Sequence, residues 1–216
     1  SPSRARAARA IRGTPRALPC PRRRDAASHQ DPCPNRSCAG AAHGAWTRPV
    51  PAGKGAGFLA QGLETILKDR VASGVVILPH GQNVDLQRVA TVYGEHPLPG
   101  PGSLAGAEQI AALLQQKTES DLILFCLTGG ASSLLVSPAP GLSLQDKLEV
   151  NRQLIACGAD IYAINTVRKH LSRIKGGGLA RWIYPTALIS FVLSDVIGDD
   201  LSTIGSGPTA PDPTTF

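Results

Sequence analysis

The stretch Asp121–Ser133, DLILFCLTGGASS, constrains the fold of this chain most. Six apolar residues run from Leu122 to Leu127, which is typical of a strand buried between the two helical layers of a parallel sheet. Gly129 and Gly130 follow directly, and glycines there permit a tight turn and close approach of the backbone to a ligand. Ligands of open α/β sheets bind beyond the carboxyl ends of strands, so this turn is a candidate phosphate site. An ordinary glycine-rich turn between strand and helix is the alternative interpretation.

Other apolar runs extend the same fold. GVVILP at 74–79 and the run at 186–193 predict two more buried strands, and residues 88–93 predict a short one. Apolar residues at helical spacing separate these strands, for example Leu59, Leu63 and Leu67. We therefore expect an α/β fold: a Rossmann-like, doubly wound, mostly parallel sheet with helices on both faces, incomplete within this chain.

The first 52 residues differ in composition from the rest. Residues 1–53 hold ten Arg and two Asp, whereas the remainder carries a net charge of −2. Large apolar residues are sparse, so we predict a disordered Arg/Pro-rich head at 1–52 and a partial α/β domain at 53–216. Three interpretations of the head stay open: a mitochondrial transit peptide, a nucleic-acid-binding arm, or sequence not native to the fold that follows.

Composition also limits the partners expected for residues 53–216, the body of the chain. Its near-neutral charge predicts no nucleic-acid binding, and no apolar run reaches the roughly 18 residues that a membrane span needs. The five cysteines have no regular spacing, which favours a reducing interior and predicts a cytoplasmic protein, or a mitochondrial one if the head is a transit peptide.

The segment before Gly53 bears on nucleotide binding. Thr47–Ala52 reads TRPVPA, and its two prolines predict that it is not a strand. The pattern Gly55-x-Gly57-x-x-Ala60 therefore lacks the preceding strand that a dinucleotide fingerprint requires. Lys54 is followed by Gly, so this is no Walker A loop, and Lys54 is either a ligand for an anion or a solvated surface lysine.

A basic helix precedes three consecutive glycines. The stretch 160–174 has apolar residues at helical spacing, and its other face carries Arg168, Lys169 and His170. Gly176, Gly177 and Gly178 predict backbone that lies close to a ligand or to another loop, because a glycine run is entropically costly. Asp195 follows the last predicted strand, where α/β enzymes hold Mg²⁺ beside phosphates. Asp199 and Asp200 suit either that role or a capped polar turn.

Five blocks of the body resemble the glycerate 2-kinase family, the two-domain glycerate kinases with a C-terminal MOFRL domain. The blocks are GVVILPHG (74–81), GEHPLPG (94–100), TGGASSLL (128–135), GADIYAINTVRKHLSRIKGGGLA (158–180) and SDVIGDDLSTIGSGPTAPDPTT (194–215). The resemblance covers residues 53–216 and identifies them as an N-terminal-domain fragment. It implies ATP- and Mg²⁺-dependent phosphorylation of the small molecule D-glycerate at its 2-hydroxyl, and it leaves a homodimer open. NAD(P)H-dependent hydroxypyruvate reduction and a non-catalytic nucleotide-binding remnant are the alternatives.

The resemblance also assigns roles to residues. Lys54 and Lys175 are expected to be catalytic, Arg168, His96 and Asn165 to bind the substrate, and Asp195 to hold Mg²⁺. The ATP phosphates are expected at the turn of Thr128, Gly129, Gly130, Ala131, Ser132 and Ser133. His96 and His170 are both candidates for the general base. We expect impaired activity, because the family's strand before Gly-Lys is absent from the predicted elements and its C-terminal domain is absent from the sequence.

Overall fold

The structure is a computed structural model that describes residues 46–194, 196 and 198–214. The strands are β1 (Thr47–Ala52), β2 (Gly74–Pro79), β3 (Val89–Gly94), β4 (Leu122–Leu127) and β5 (Ala187–Val192). The helices are α1 (Ala56–Leu67), α2 (Pro101–Gln115), α3 (Ala131–Leu134), α4 (Leu144–Ala156), α5 (Ile161–His170) and α6 (Gly178–Ile183). Short 3-10 turns occur at Lys68–Arg70 and Ile204–Ser206. In the described part of the chain, no helix has the length and hydropathy of a membrane span.

The five strands form one parallel sheet in the order β3-β2-β1-β4-β5. From β1 the chain first adds β2 and β3 on one side of the sheet and then adds β4 and β5 on the other side. The direction in which strands are added therefore reverses between β1 and β4. This is the doubly wound arrangement expected from the sequence, and the strands predicted at 74–79, 122–127 and 186–193 are confirmed as β2, β4 and β5. Ligands of such sheets bind at the reversal point, between the loops that follow β1 and β4.

Helices cover both faces of the sheet, as predicted. On β2, Val76 and Leu78 pack with α1, whereas Val75 and Ile77 pack with α2 on the opposite face. This alternation follows from the two-residue period of a strand. The larger core lies on the α2 side and includes Phe125, Leu134 and Leu179, whose side chains are fully buried.

The prediction that Thr47–Ala52 is not a strand is wrong. These residues form β1, the central strand, and they pair with β4 over six residues in register from Thr47 opposite Leu122 to Ala52 opposite Leu127. The sheet therefore begins before residue 53, and the predicted domain boundary at residue 52 divides its central strand from the body. Residues 1–45 lie outside the described residues, so the predicted disorder of the head stays a prediction.

The spacing of the two prolines explains how β1 tolerates them. Backbone N–H groups alternate between the two neighbours of a strand, so Pro49 and Pro51, two residues apart, both face the same neighbour. That neighbour is β2, and β1 pairs with it at a single position, Ala52 opposite Ile77. Gly74 makes room there, since a Cβ on it would lie 3.2 Å from Cδ of Pro49 and 2.6 Å from its carbonyl oxygen. The N–H groups that the two prolines lack thus weaken the pairing of β1 with β2 and leave the pairing of β1 with β4 complete.

A buried ion pair fixes the start of β1. Nε of Arg48 donates to Oδ2 of Asp121 over 2.9 Å, and another guanidinium nitrogen donates to Oγ of Ser73 over 2.7 Å. Asp121 is 2% exposed. Its burial favours the neutral acid, but the backbone N–H of Thr118 and the charge of Arg48 outweigh that effect and lower the pKa of the carboxyl group.

Replacing Arg48 by Met should destabilise the fold by about 3 kcal/mol, because it leaves a buried carboxylate unpaired. Urea unfolding monitored by circular dichroism would measure the difference. Arg152→Met is the matched control. Its ion pair with Glu149 is largely exposed, so its removal should change the stability far less than removal of Arg48 does.

The pH dependence of that difference has a defined sign. Because the folded-state pKa of Asp121 is lowered, its stabilising contribution is present above the ordinary aspartate pKa of about 3.9 and is lost as the pH falls through the folded value. The difference in unfolding free energy between the wild type and Arg48→Met should therefore become smaller below about pH 4. A gap that stays constant down to pH 2 would contradict this assignment.

Candidate functional site

The loops that follow β1 and β4 are joined at the reversal point. The backbone N–H of Lys54 donates to the carbonyl of Gly129 over 2.9 Å, and that of Gly55 donates to Oγ1 of Thr128 over 3.0 Å. Gly53 has a φ of 125°, and a Cβ on it would collide with Oγ1 of Thr128. The expectation that the Gly-Lys turn lacks the support of a strand is therefore wrong, because β1 and the second loop both hold it.

The turn after β4 presents free donors beside two of the predicted site residues. Gly130 has a φ of 85°, and no hydrogen bond among the described residues uses the N–H of Gly129 or Gly130. A Cβ on Gly130 would lie 2.9 Å from Cδ2 of His96 and 3.1 Å from Cγ of Lys54. The structure thus brings Lys54, His96 and the glycine turn together, and Lys54 and His96 are exposed there.

The other members of the turn are engaged within the protein. Thr128 is buried and accepts the N–H of Gly55, while Oγ of Ser133 donates to the carbonyl of Gly130 over 3.1 Å. Ala131 is buried, and its N–H donates to the carbonyl of Thr128. These residues shape the turn, and the N–H groups of its two glycines stay unused among the described residues.

The basic residues of α5 have separate contacts. Lys169 is buried and forms an ion pair of 3.1 Å with Asp212, and Nδ1 of His170 lies 2.9 Å from the carbonyl oxygen of Thr166. Arg168 instead donates to Oγ of Ser132, in the turn after β4, over 2.8 Å. Arg168 therefore connects α5 to the candidate anion site.

Lys175 converges on the same serine. It is 3% exposed, and its ammonium group donates to the carbonyl and hydroxyl oxygens of Ser132, both over 3.1 Å, and to the carbonyl of Gly205 over 3.3 Å. Burial, followed by the charges of Arg168 and Lys147, lowers the pKa of Lys175 well below its ordinary value. Three hydrogen bonds within the protein occupy its donors.

Lys147 on α4 completes a cluster of three cations. Its Nζ donates to the carbonyl of Leu171 over 2.8 Å, and burial, with a smaller effect from Arg168, lowers its pKa to about 8. No ion pair between described residues gives Lys147, Arg168 or Lys175 a carboxylate. Partly desolvated cations without anionic partners favour binding of an anion.

Two cavities flank Arg168. One, of about 150 Å³, lies between the Pro97–Pro99 loop and α4 and is lined by all three cations. The other, of about 350 Å³, is lined by apolar side chains and by the polar residues Ser132, Asn165, Arg168, Asp200, Thr203 and Ser206. The second cavity falls within the range of about 300–1,000 Å³ that small-molecule sites occupy. Asn165, Arg168 and Ser132 thus share one pocket.

The three glycines pack against another loop, which is one of the two predicted alternatives. The N–H of Gly176 donates to the carbonyl of Ser206 over 3.0 Å, and that of Gly177 donates to the carbonyl of Gly207 over 2.8 Å. A Cβ on Gly177 would lie 3.1 Å from the carbonyl oxygen of Ala210. The glycine run therefore acts on the site indirectly, by fixing the Gly205–Gly207 loop.

The predicted metal ligand cannot be placed. Asp195 lies outside the described residues, and the residues that are described contain no cluster of three His, Cys, Asp or Glu side chains suited to a metal. Both carboxylate oxygens of Asp200 accept hydrogen bonds from Ser202 or Thr203, as in the capped-turn alternative. Asp199 is exposed in the left-handed region, with a φ of 53°.

Two site residues escaped prediction from sequence. Lys147 resembles any other basic residue on the polar face of an amphipathic helix, so no local signal marks it. Ser206 does have a sequence signal, since a serine between Gly205 and Gly207 is a non-glycine residue in a glycine-rich turn.

The strand β1 also changes the interpretation of the glycine pattern after it. Gly55-x-Gly57-x-x-Ala60 does follow a strand and does open a helix, so the expected absence of that context is wrong. The rest of the fingerprint is incomplete. At the end of β2, where dinucleotide-binding folds place an acidic residue, this chain has His80 and Gly81.

The fold defines a Rossmann-like α/β protein in which the loop of Lys54 and the glycine turn after β4 meet at the reversal point of the sheet. A family described as "Domain of unknown function (DUF4147)" matches residues 20–216, and the chain belongs to this family. The resemblance to glycerate 2-kinases expected from the sequence is confirmed by relatives that carry that name.

Three relatives illustrate the likeness. The chain is 40% identical over 167 residues to "Glycerate 2-kinase" of Pyrococcus horikoshii, covering 77% of this chain and 37% of that protein. It is 45% identical over 167 residues to "Putative hydroxypyruvate reductase" of Agrobacterium vitis, covering 77% and 38%. A crystal structure of glycerate kinase from Thermotoga maritima matches with a TM-score of 0.77 at 36% identity, covering 79% and 42%. The chain thus spans less than half the length of each.

Replacing Gly130 by Ala should destabilise the fold more than the same change at Gly141. Gly130 and Gly141 have φ values of 85° and 82°, so Ala costs about 1–2 kcal/mol of backbone strain at each. A Cβ on Gly130 also crowds His96 and Lys54, whereas one on Gly141 meets nothing within 4 Å. Urea unfolding of both variants measures the difference, and equal losses would contradict the packing described for His96.

The stability contribution of Lys147 should depend on pH near its lowered pKa. Between about pH 8 and its ordinary value, the unfolded chain binds more protons at this residue than the folded protein, so folded stability rises with pH. The difference in unfolding free energy between the wild type and Lys147→Met should therefore shift in favour of the wild type from pH 7.5 to 10. A difference that is flat with pH would show that Lys147 is not desolvated.

Proposed function

We propose that this protein is an ATP-dependent D-glycerate 2-kinase. The reaction joins the 2-hydroxyl oxygen of D-glycerate to the γ-phosphorus of ATP, breaks the bond from that phosphorus to the bridging oxygen, and releases ADP and one proton. The single observation that carries the proposal is the junction at the reversal point, where Lys54, His96 and the glycine turn converge without a carboxylate partner for Lys54 among the described residues.

The turn at 128–133 is the proposed cradle of the ATP phosphates. Gly129 and Gly130 offer unused N–H groups, and the left-handed conformation of Gly130 leaves open the space that a side chain would fill. Lys54 lies beside this space and would stabilise the charge of the transferring phosphoryl group. Preorganised donors of this type are the main contribution that a protein makes to phosphoryl transfer.

The acceptor is proposed to bind near Arg168 and Asn165. Arg168 would pair with the carboxylate of glycerate, while Lys175, whose donors are all engaged, suits a role in positioning Ser132 and Gly205. His96 is the favoured general base, because it contacts the glycine turn beside Lys54. The ring of His170 instead contacts the carbonyl of Thr166 in its own helix.

Magnesium is proposed to accompany the nucleotide, with Asp195 as its protein ligand. A single carboxylate with substrate phosphates is a common protein contribution to a Mg²⁺ site. When bound, the ion would neutralise phosphate charge. A cytoplasmic location and the oligomeric state remain predictions.

Hydroxypyruvate reduction is the second candidate, favoured by one observation. The pattern Gly55-x-Gly57-x-x-Ala60 lies between β1 and α1, the position of a dinucleotide fingerprint. Against it stand His80 and Gly81 at the end of β2, where a ribose-binding acid would be expected.

Thermal unfolding with nucleotides separates the candidates. ATP with Mg²⁺ at about 100 times its dissociation constant should stabilise the chain by about 2.7 kcal/mol, which is a rise of roughly 5–10 °C in Tm. Lys54→Met should reduce this rise, whereas Lys68→Met, an exposed lysine at the other end of α1, should leave it unchanged. Stabilisation by NADH or NADPH in place of ATP would contradict the kinase proposal.

Turnover is measured in parallel as ADP release that depends on D-glycerate. A chain that binds ATP but releases no ADP would support the third alternative, a non-catalytic nucleotide-binding remnant. Oxidation of NADH in the presence of hydroxypyruvate would support the reductase.

A further inference from the structure

Ser206 is the most unusual residue of the pocket beside Arg168. It is 1% exposed, and its hydroxyl group has no hydrogen-bond partner among the described residues. A buried hydroxyl without a partner is costly and therefore rare in native proteins. Ser206 lines the 350 Å³ cavity, so a ligand there can supply the missing partner.

The backbone of Ser206 is held in a conformation that serine avoids. Its φ is 63°, and it lies between Gly205 at 59° and Gly207 at 60°. Gly at position 206 would be free of this strain. Strained non-glycine residues persist where surrounding contacts over-determine them, and such residues concentrate at functional sites.

Those surrounding contacts are visible. The carbonyl of Ser206 accepts the N–H of Gly176, the carbonyl of Gly207 accepts that of Gly177, and the carbonyl of Gly205 accepts the ammonium group of Lys175. Three consecutive carbonyl groups, those of residues 205–207, are thus fixed by residues 175–177, which directly precede α6. The backbone that carries the Ser206 side chain is therefore fixed by contacts within the protein.

The other polar groups of the pocket define what fits. Arg168 has no carboxylate partner among the described residues, and the side chain of Asn165 makes no hydrogen bond within them. Asp200 and Thr203 also line this cavity, where Oγ1 of Thr203 donates to Oδ2 of the exposed Asp200 over 2.8 Å. A guanidinium without a carboxylate partner, together with an amide and a hydroxyl group without hydrogen-bond partners, matches a small carboxylate that carries hydroxyl groups.

We infer that Ser206 is a ligand-binding residue of the acceptor pocket, where its hydroxyl donates to the carboxylate of a small hydroxy acid that Arg168 also binds. This inference rests on the proposed function, because D-glycerate is the hydroxy acid in question. Ser206 therefore affects binding of the acid, whereas the nucleotide phosphates are proposed to bind at the turn after β4.

Two substitutions separate the hydroxyl from the backbone. Ser206→Gly removes the hydroxyl and relieves the left-handed strain, whereas Ser206→Ala removes the hydroxyl and keeps the strain. Both should weaken D-glycerate binding by about tenfold or more, since a hydrogen bond to a charged group contributes at least that factor. Binding of ATP should be unchanged in both, and Tm without ligand should rise in Ser206→Gly above that of Ser206→Ala.

Lys68→Gly is the matched control. Lys68 has a φ of 48°, is exposed and lies at the far end of α1, so Gly relieves strain there without removing a buried hydroxyl. Its Tm should rise, and its affinity for D-glycerate should equal that of the wild type.

The measurement is isothermal titration of D-glycerate into the whole chain without nucleotide, followed by the assay of ADP release. Unchanged D-glycerate affinity in both Ser206 variants would overturn the inference, and so would a wild type that binds no D-glycerate. Loss of affinity in both variants supports it even where no ADP is released, an outcome in which the kinase proposal fails separately.

Discussion

The pairing of β1 with β4 is the contact on which both the core and the site depend. It is complete over six residues, whereas the two prolines reduce the pairing of β1 with β2 to a single position. Both strands end at the same level, so the loops that follow them meet edge to edge. The contact between Lys54 and Gly129 is a continuation of that ladder beyond the sheet. Any change that shifts β1 along β4 therefore moves the lysine relative to the glycine turn.

The second constraint is electrostatic. Arg168 and Lys175 both donate to Ser132, and Lys147 lies in the same cavity. Burial disfavours the charged form of each, and the described residues supply no carboxylate to compensate. The unliganded protein therefore bears an unfavourable free energy that an anion would relieve.

The sequence predicted the elements whose signals are local. Buried strands β2, β4 and β5 are continuous apolar runs, and the glycines after β4 mark the turn that presents free N–H groups. It failed on β1 because proline depletion is a rule about paired N–H groups, and a sequence does not show which neighbour those groups face. The contacts of Lys147 and Ser206 were out of reach for a related reason, since both depend on elements that lie far apart in the chain.

The two loops of the site are made rigid in different ways, which bears on how the site works. Hydrogen bonds to the β1 turn hold the loop after β4, whereas the glycine run and Lys175 hold the loop of Ser206. Lys175 also donates to Ser132, so the two loops share one buried ammonium group as a common anchor. Groups that are fixed before a ligand binds need no reorganisation during the reaction, and misplacement of about 1 Å can cost roughly 100-fold in rate. The contacts of the buried Lys175 therefore suit a positioning residue, because they align the two loops with each other.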